Sequence, residues 1–243
     1  MAQNLFDERI AAGYDADVQD MFDAEVLEPA VEFLVDLAGT GAALELGIGT
    51  GRVALPLRRA GVRVHGIDLS PEMISQLRAK PDAEGISVTL GDFATAAVPE
   101  TFTLAYLVFN TIMNLTTQDE QVACFRNVAA HLEARGCFVV EVNVPDLQRL
   151  PPGESVRPFR VTPTHLGFDE IDVATQRLIS HHYFIANERV EAFSMPFRYV
   201  WPSELDLMAR LAGLTLRERW GDWDRRPFTS QSRKHISVWR KDG

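Results

Sequence analysis

Five residues, Gly47, Ile48, Gly49, Thr50 and Gly51, place three glycines at alternate positions between an apolar run ending at Leu46 and a helical pattern beginning near Val53. Glycine tolerates positive φ and lets a ligand approach the main chain, at a cost in folding entropy. Three of them at a strand-to-helix turn therefore predict a ligand-binding loop. The loop is G-x-G-x-G. A dinucleotide fingerprint would need its third glycine where Arg52 stands, and no Lys-Ser/Thr pair follows to build a phosphate loop. Three carboxylates accompany it: Glu45 just before the loop, Asp68 at the end of the second apolar run, and Asp92 at the end of the third.

In an open parallel sheet the carboxyl ends of the strands face the ligand crevice, so all three acids can converge there. Asp68 is placed to accept two hydrogen bonds from ribose hydroxyls. Asp92 can accept from an adenine amino group, and Glu45 can help hold a cationic ligand end. A ligand with a ribose, an adenine and a positive charge but no phosphate is S-adenosyl-L-methionine.

The elements that must position these groups follow from periodicity. Residues 5–22 read as one or two short helices. Leu27, Val31, Leu34 and Leu37 paint one face of a helix that stops at Gly39. Strands are predicted at 43–46, 62–67, 86–90, 102–109 and 136–142, the fourth a continuous apolar run suited to burial on both faces. Helices lie between them, one opened by Ser70, Pro71 and Glu72, which supply a cap, a first-turn proline and an early acid. Pro56, early in the helix after the glycines, predicts a local adjustment there. Five short-looped alternations of strand and helix indicate an α/β domain with a parallel sheet.

After Pro145 the texture changes. Extended stretches near 166–173, 177–186 and 189–200, joined by turns at Ala174 and Thr175 and at Asn187 and Glu188, predict an antiparallel meander inserted into the sheet domain. A helix at 204–212 and two last strands at 214–220 and 235–240 complete the chain.

With these elements in place the chain resembles the class I S-adenosylmethionine-dependent methyltransferases. The likeness covers most of residues 10–145. It is carried by Tyr14 with Asp15, by Glu45 to Arg52, by Gly66 to Ser70 with Met73, by Gly91, Asp92 and Phe93, and by Phe109, Asn110 and Thr111. The resemblance implies a Rossmann-like seven-stranded sheet of order 3-2-1-4-5-7-6 with the seventh strand antiparallel. It implies cofactor contacts from Tyr14, Glu45, Gly47, Gly49, Gly51, Arg52, Asp68, Leu69, Met73, Asp92, Phe93, Phe109 and Asn110. Asp68 would hold the ribose, Asp92 and Phe93 border the adenine, and Tyr14 close over the methionine end. The second half is similar to the substrate lids of small-molecule methyltransferases, including bacterial sugar-amine N,N-dimethyltransferases. One domain is expected over residues 1–243, with an N-terminal helical cap at 1–38 and a lid at 157–200.

The implied reaction is in-line displacement at a sulfonium methyl, yielding S-adenosyl-L-homocysteine, with no metal. Alignment of the reactants can be worth roughly 7–11 kcal/mol of barrier. A base is optional for an amine and useful for a hydroxyl or an activated carbon. Candidate catalytic residues are Asn110, at the end of the fourth strand, and His165, His182 and Tyr183 in the lid. Strand alternation puts His182 opposite His181 and Tyr183. Asn114 and Asn143 stand near the same strand ends, and Phe159, Phe168, Tyr199 and Trp201 could form an aromatic wall.

Composition narrows the partners. The 243 residues carry 24 basic and 34 acidic side chains, net charge -10, which disfavours nucleic acid and anionic membranes. The last 27 residues depart from this, with eight basic against four acidic side chains. A solvated surface and a polyanion site are both readings of that stretch, and the second keeps RNA in play as a substrate. The chain could also act on a protein substrate, bind the cofactor without catalysis, or be a nicotinamide oxidoreductase, the last opposed by Arg52. Cys124 and Cys137 have no histidine at metal-ligand spacing and read as buried thiols. No signal peptide or membrane-length apolar run is present, so the expectation is a cytoplasmic monomer or homodimer that acts on a small molecule, with no nucleic-acid or membrane partner.

Overall fold

The computed structural model describes residues 4–186 and 189–243. Two helices open the chain, α1 (Glu8–Asp17) and α2 (Ala24–Ala38), separated by a 3-10 turn at Gln19–Phe22. There follow β1 (Ala42–Leu46), α3 (Ala54–Arg59), β2 (Arg63–Asp68), α4 (Pro71–Arg78), β3 (Ser87–Leu90), β4 (Phe102–Leu107), α5 (Gln118–His131) and β5 (Leu132–Asn143). Four strands come next: β6 (Val156–Val161), β7 (His165–Asp172), β8 (Arg177–Ala186) and β9 (Arg189–Arg198). The chain closes with α6 (Pro202–Leu211), β10 (Leu214–Trp220) and β11 (Lys234–Lys241).

The main sheet has the order β10-β11-β5-β4-β1-β2-β3. Its first five strands are parallel, and β11 runs antiparallel to both β5 and β10. Counted along this sheet, the order is the expected 3-2-1-4-5-7-6. All five residues of β1 are buried, as a central parallel strand covered on both faces requires. On one face Phe33 and Leu34 of α2, Leu57 of α3 and Leu77 of α4 meet Val64, Tyr106 and Val139. On the other, Phe125 of α5 packs edge-to-face on Phe138 and Trp239, with Leu205 and Met208 of α6 in the same cluster. Cys124 and Cys137 are free and buried.

Local chemistry explains the helix starts beside the loops that matter. Ser70 accepts a hydrogen bond from the Met73 amide at 3.1 Å and caps α4, with Pro71 at its first turn. Thr117 and Glu120 form a reciprocal capping box on α5. Pro56 falls in the first turn of α3, and the hydrogen bonds of Leu55 to Gly51 and Leu57 to Val53 flank it undisturbed.

Two strand expectations change. The fourth strand ends at Leu107 rather than at 109, because Phe109 and Asn110 both adopt positive φ, 56° and 62°. The inserted sheet has four strands rather than three, in the order β6-β7-β8-β9, all antiparallel. Its extra member, β6, contains Pro158 beside a register shift between Pro158 and Arg160, and a proline fits a sheet at an edge or a bulge, both of which β6 provides. The turn expected at Asn187 and Glu188 lies outside the described residues, as do positions 1–3 of the N-terminal span.

The basic C-terminal stretch is paired mostly with acids from elsewhere in the chain. Arg219 pairs with Asp206, Arg225 with Asp36, Arg226 with Asp224, Arg233 with Asp146, and Lys234 with Glu141 and Asp222. Four of these six partners, Asp206, Asp36, Asp146 and Glu141, come from the remainder of the chain. Among the described residues no helix is long and apolar enough to cross a membrane.

Candidate active site

The glycine loop is bound to the neighbouring strand by its own backbone. The amides of Gly47 and Ile48 donate to the Ile67 carbonyl at 2.8 and 3.1 Å, and Gly47, Gly49 and Gly51 have φ of 71°, 55° and 82°. A Cβ at Gly47 would stand 2.7 Å from the Thr111 methyl and 3.9 Å from the Phe93 ring. A Cβ at Gly49 would meet the Met73 side chain at 3.2 Å. The loop thus threads between the residues after β4, the start of α4 and the turn after β3.

Asp68, the last residue of β2, organises this turn. Its Oδ2 accepts from the Gly49 amide at 2.7 Å and its Oδ1 from the Ser70 amide at 2.9 Å. Burial raises its proton affinity, while the amides of Ser70, Gly49 and Leu69 oppose the rise. Each carboxylate oxygen offers more than one lone pair, so both can accept further donors. Leu69 is half-buried beside it, and Met73 is buried beneath the loop.

Glu45 is only 3% exposed, and its Oε2 accepts from the Tyr106 hydroxyl at 2.8 Å. Burial pushes its carboxyl up to about 8, against the Tyr106 hydrogen bond and the positive charge of Arg52. Arg52 donates to the Met21 carbonyl at 3.3 Å and lies over the Phe109 ring, 5.1 Å from its centroid. An acid and a guanidinium therefore face one corner beside the glycine turn. The Tyr14 phenol also faces Arg52, and its acidity is weakened by burial first and by Asp15 and Asp68 after it.

The N-terminal helix is fastened to the same corner. Thr50 donates to Asp15 at 2.6 Å, Lys80 pairs with Asp15, and the Ser70 hydroxyl donates to the Phe6 carbonyl at 2.7 Å.

At the end of β4 the backbone is strained. Two consecutive non-glycine residues at positive φ are uncommon, and such strain persists only where surroundings over-determine it. Here Glu141 supplies the restraint. Its Oε2 accepts from the Phe109 amide at 3.0 Å, and its backbone carbonyl accepts from the Asn110 amide at 3.2 Å. Its Oε1 accepts from Trp223 and Lys234, each at 3.1 Å. Asn110 Oδ1 accepts from the Asn143 amide at 2.7 Å, which ties the ends of β4 and β5 together. Sequence reading missed Glu141, which looks like an ordinary strand residue between Val140 and Val142. Asp92 accepts from the Ala94 amide at 2.9 Å and starts the turn that brings buried Phe93 toward Gly47.

The lid candidates separate onto two faces. His165 and His182 share one, their rings stacked at 5.2 Å with Nε2 and Nδ1 3.0 Å apart. Phe159, Phe184 and Phe193 lie around them, Phe193 parallel to His182 at 4.7 Å. This face looks toward α1, because Arg9 sits 5.8 Å over the Phe193 ring and pairs with Glu191 at 3.2 Å. Tyr183 is on the opposite face, stacked with Phe168 beside His181, so it cannot join the other two in one pocket. The expected aromatic wall divides likewise: Phe159 and Phe168 oppose each other, and Tyr199 is buried against Trp201 near α6.

These donors and acceptors fit an adenosyl amino acid. A buried strand-end carboxylate suits vicinal hydroxyls, and the Glu45 and Arg52 corner matches a zwitterionic amino-acid end. Among the described residues no group of three His, Cys, Asp or Glu side chains is arranged around a metal position.

Comparison with known proteins supports the same reading. Residues 43–136 match a family described as a methyltransferase domain. The CcbJ methyltransferase of Streptomyces caelestis is 36% identical with a TM-score of 0.84, over 98% of this chain and 100% of that one. The cypemycin N-terminal methyltransferase of a Streptomyces species is 28% identical over 202 residues, 80% of this chain and 81% of that relative. CalS10, an amino pentose methyltransferase of Micromonospora echinaspora, is 19% identical with a TM-score of 0.69 over 99% of this chain and 100% of that one, and shares the fold. With a 36% identical relative that matches over nearly the whole of both chains and shares the fold, the chain belongs to the class I S-adenosylmethionine-dependent methyltransferases.

Proposed function

We propose that this enzyme methylates an amine nitrogen of a small natural product, bound between the lid face that carries His165 and His182 and the carboxyl edge of the main sheet. The observation that carries the reading is the pair of stacked imidazoles set among Phe159, Phe184 and Phe193 on the side facing α1. Burial holds both imidazoles below their usual range, His182 at about 4, so they are neutral and can accept hydrogen bonds. Nitrogen is favoured over oxygen and carbon because the cypemycin relative is named for an N-terminus and CalS10 for an amino pentose. The paired C-terminal arginines withdraw support from RNA as acceptor.

When bound, S-adenosyl-L-methionine supplies an electrophilic sulfonium methyl. Asp68 receives the ribose hydroxyls, Leu69 and Met73 pack beside the sugar, and Asp92 with Phe93 borders the adenine. Glu45 and Arg52 take the ammonium and carboxylate of the methionine end, over the backbone of Gly47, Gly49 and Gly51, and Tyr14 covers it from α1. Phe109 and Asn110 present the strained end of β4 toward the transferred group, while the lid sheet of residues 157–200 and the helical cap of residues 1–38 exclude water. The chain's own contribution is alignment plus acceptance of one proton from the substrate nitrogen.

The test is incubation with S-adenosyl-L-methionine and a panel of amino sugars, amino-terminal peptides and their hydroxyl counterparts, with S-adenosyl-L-homocysteine and methylated products quantified by mass spectrometry. Methylation of amines is expected. Methylation of the hydroxyl counterparts alone would overturn the assignment to nitrogen.

A further inference from the structure

The two imidazoles are the outer half of a longer chain of polar groups. In the register of β7 and β8, His165 lies opposite Phe184, Gly167 opposite His182, and Asp169 opposite Ser180, all on the face turned to α1. Gly167 leaves room for the Phe159 ring to lie across the sheet beside His182. Ser180 is buried, its hydroxyl 3.3 Å from His182 Nε2, and the Asp169 carboxylate stands directly across from it on the neighbouring strand. His182 Nδ1 is 3.0 Å from His165 Nε2.

We propose that Asp169, Ser180, His182 and His165 form a directed proton relay that receives the proton lost by the methyl acceptor, a role that rests on the amine-methylating reading above. Direction follows from donor and acceptor capacity. A carboxylate only accepts, so the Ser180 hydroxyl donates to Asp169. The serine oxygen then accepts from His182 Nε2–H, which leaves His182 Nδ1 as acceptor for His165 Nε2–H. His165 Nδ1 is left as the accepting end.

A proton that leaves the substrate nitrogen for His165 Nδ1 is balanced by three transfers. His165 passes its Nε2 proton to His182 Nδ1, His182 passes its Nε2 proton to Ser180, and Ser180 passes its own to Asp169. The imidazoles and the serine end neutral, and Asp169 ends as the neutral acid. Burial raises Asp169 and lowers both histidines, which favours that final resting place for the proton. The charged groups facing the chain are Arg157 and Arg160 from β6, Asp17 from α1 and His181 through the sheet. The relay serves an acceptor that carries a proton on its nucleophilic atom, as the amine of the proposed reaction does.

The first test needs no acceptor. In protein labelled with 15N at histidine, two-bond proton–nitrogen correlation should show His182 and His165 as Nε2–H tautomers. Ser180→Ala should remove the preference at His182, and Ser180→Thr, which keeps the hydroxyl, should restore it. An Nδ1–H tautomer at His182 in the unmodified protein, or an unchanged spectrum in Ser180→Ala, overturns the relay. In the second test, with S-adenosyl-L-methionine and an accepted amine, Asp169→Asn should lower kcat by roughly 100-fold, the lower end of general-base contributions. KM and cofactor affinity should stay within about twofold, and the acidic limb of the kcat profile should vanish. Unchanged kcat overturns the relay. If the unmodified enzyme methylates no amine, the amine reading fails by itself and the tautomer measurement still decides the relay.

Discussion

If Glu45 receives the ammonium of the methionine end, cofactor binding must be coupled to a proton. In the free protein burial holds the Glu45 carboxyl at about 8, so it is mostly protonated at neutral pH. The ammonium favours the carboxylate, and the α-amino group of a free amino acid keeps its proton to a higher pH than a peptide's amino terminus, at about 7.7–8.0, does. Below about pH 8 both partners therefore carry their protons when free, and the ion pair forms by releasing one. Affinity should rise about tenfold per unit up to about pH 8 and fall only where the ligand's amine loses its proton. At about pH 6 the loss is about two units at ~1.36 kcal/mol each, roughly 2.7 kcal/mol or about 100-fold. Calorimetry with S-adenosyl-L-homocysteine in buffers of different ionisation enthalpy measures the affinity and the proton count together. Glu45→Gln should flatten the acidic limb and leave the alkaline one. An affinity that changes less than about threefold between about pH 6 and 8, or binding without proton release there, would refute the placement of a neutral Glu45 against the amine. The free protein supplies a second check with its own sign. A folded-state value above the ordinary 4.5 means the fold prefers the protonated acid, so the contribution is full below 4.5 and is lost as pH rises through about 8. Glu45→Gln should gain stability relative to the unmodified protein across that window.

Three further outcomes test the remaining parts. Asp68→Asn keeps the side chain's size but turns one acceptor into a donor facing a backbone amide, so cofactor affinity should fall by about 1.5–3 kcal/mol, the scale of charge-assisted hydrogen bonds; an unchanged dissociation constant in a folded variant removes Asp68 from the site. Glu204→Gln should destabilise the protein by ~3–5 kcal/mol in urea unfolding, because buried Arg198, which bonds Glu204 at 2.6 Å, keeps its charge without its partner; a loss under about 1 kcal/mol contradicts that pairing. Thr50→Val deletes the hydrogen bond that docks α1 through Asp15, so proteolytic cutting within residues 8–17 should rise while the global unfolding midpoint stays put; equal protection would mean other contacts hold α1 in place.

The features legible in the sequence were those whose cause is local. Gly47, Gly49 and Gly51 state a backbone requirement by their type, Ser70 and Pro71 announce the start of α4, and that start fixes Asp68 as the end of β2. Alternation alone put Tyr183 on the other face from His182. Which face turns toward α1 depends on Arg9 and Glu191, far apart in sequence, and no local pattern encodes that meeting. The same holds for Glu141, whose partners Phe109, Trp223 and Lys234 gather from three places in the chain. It holds again for Asp169 and Ser180, which become neighbours only through strand register. Strand β6 was hidden for a different reason: Pro158 argues against a strand, and only an unpaired edge position tolerates it.

Helix α1 links the two halves of the site. Its ten residues are too few to be stable as an isolated helix in water, so its order depends on what it touches. One set of contacts, Asp15 with Thr50 and Lys80 and the preceding Phe6 with Ser70, lies on the loops assigned to the cofactor. The other, Arg9 with Glu191 and Phe193, lies on the lid face that carries the histidines. A ligand that braced Thr50 and Tyr14 would therefore also strengthen the support under Phe193 and His182, without any contact of its own with the lid. If those loops hold the cofactor and that lid face holds the acceptor, occupancy of the first should strengthen the second, and acceptor binding should tighten when S-adenosyl-L-homocysteine is present; equal acceptor affinity with and without it would contradict the link through α1.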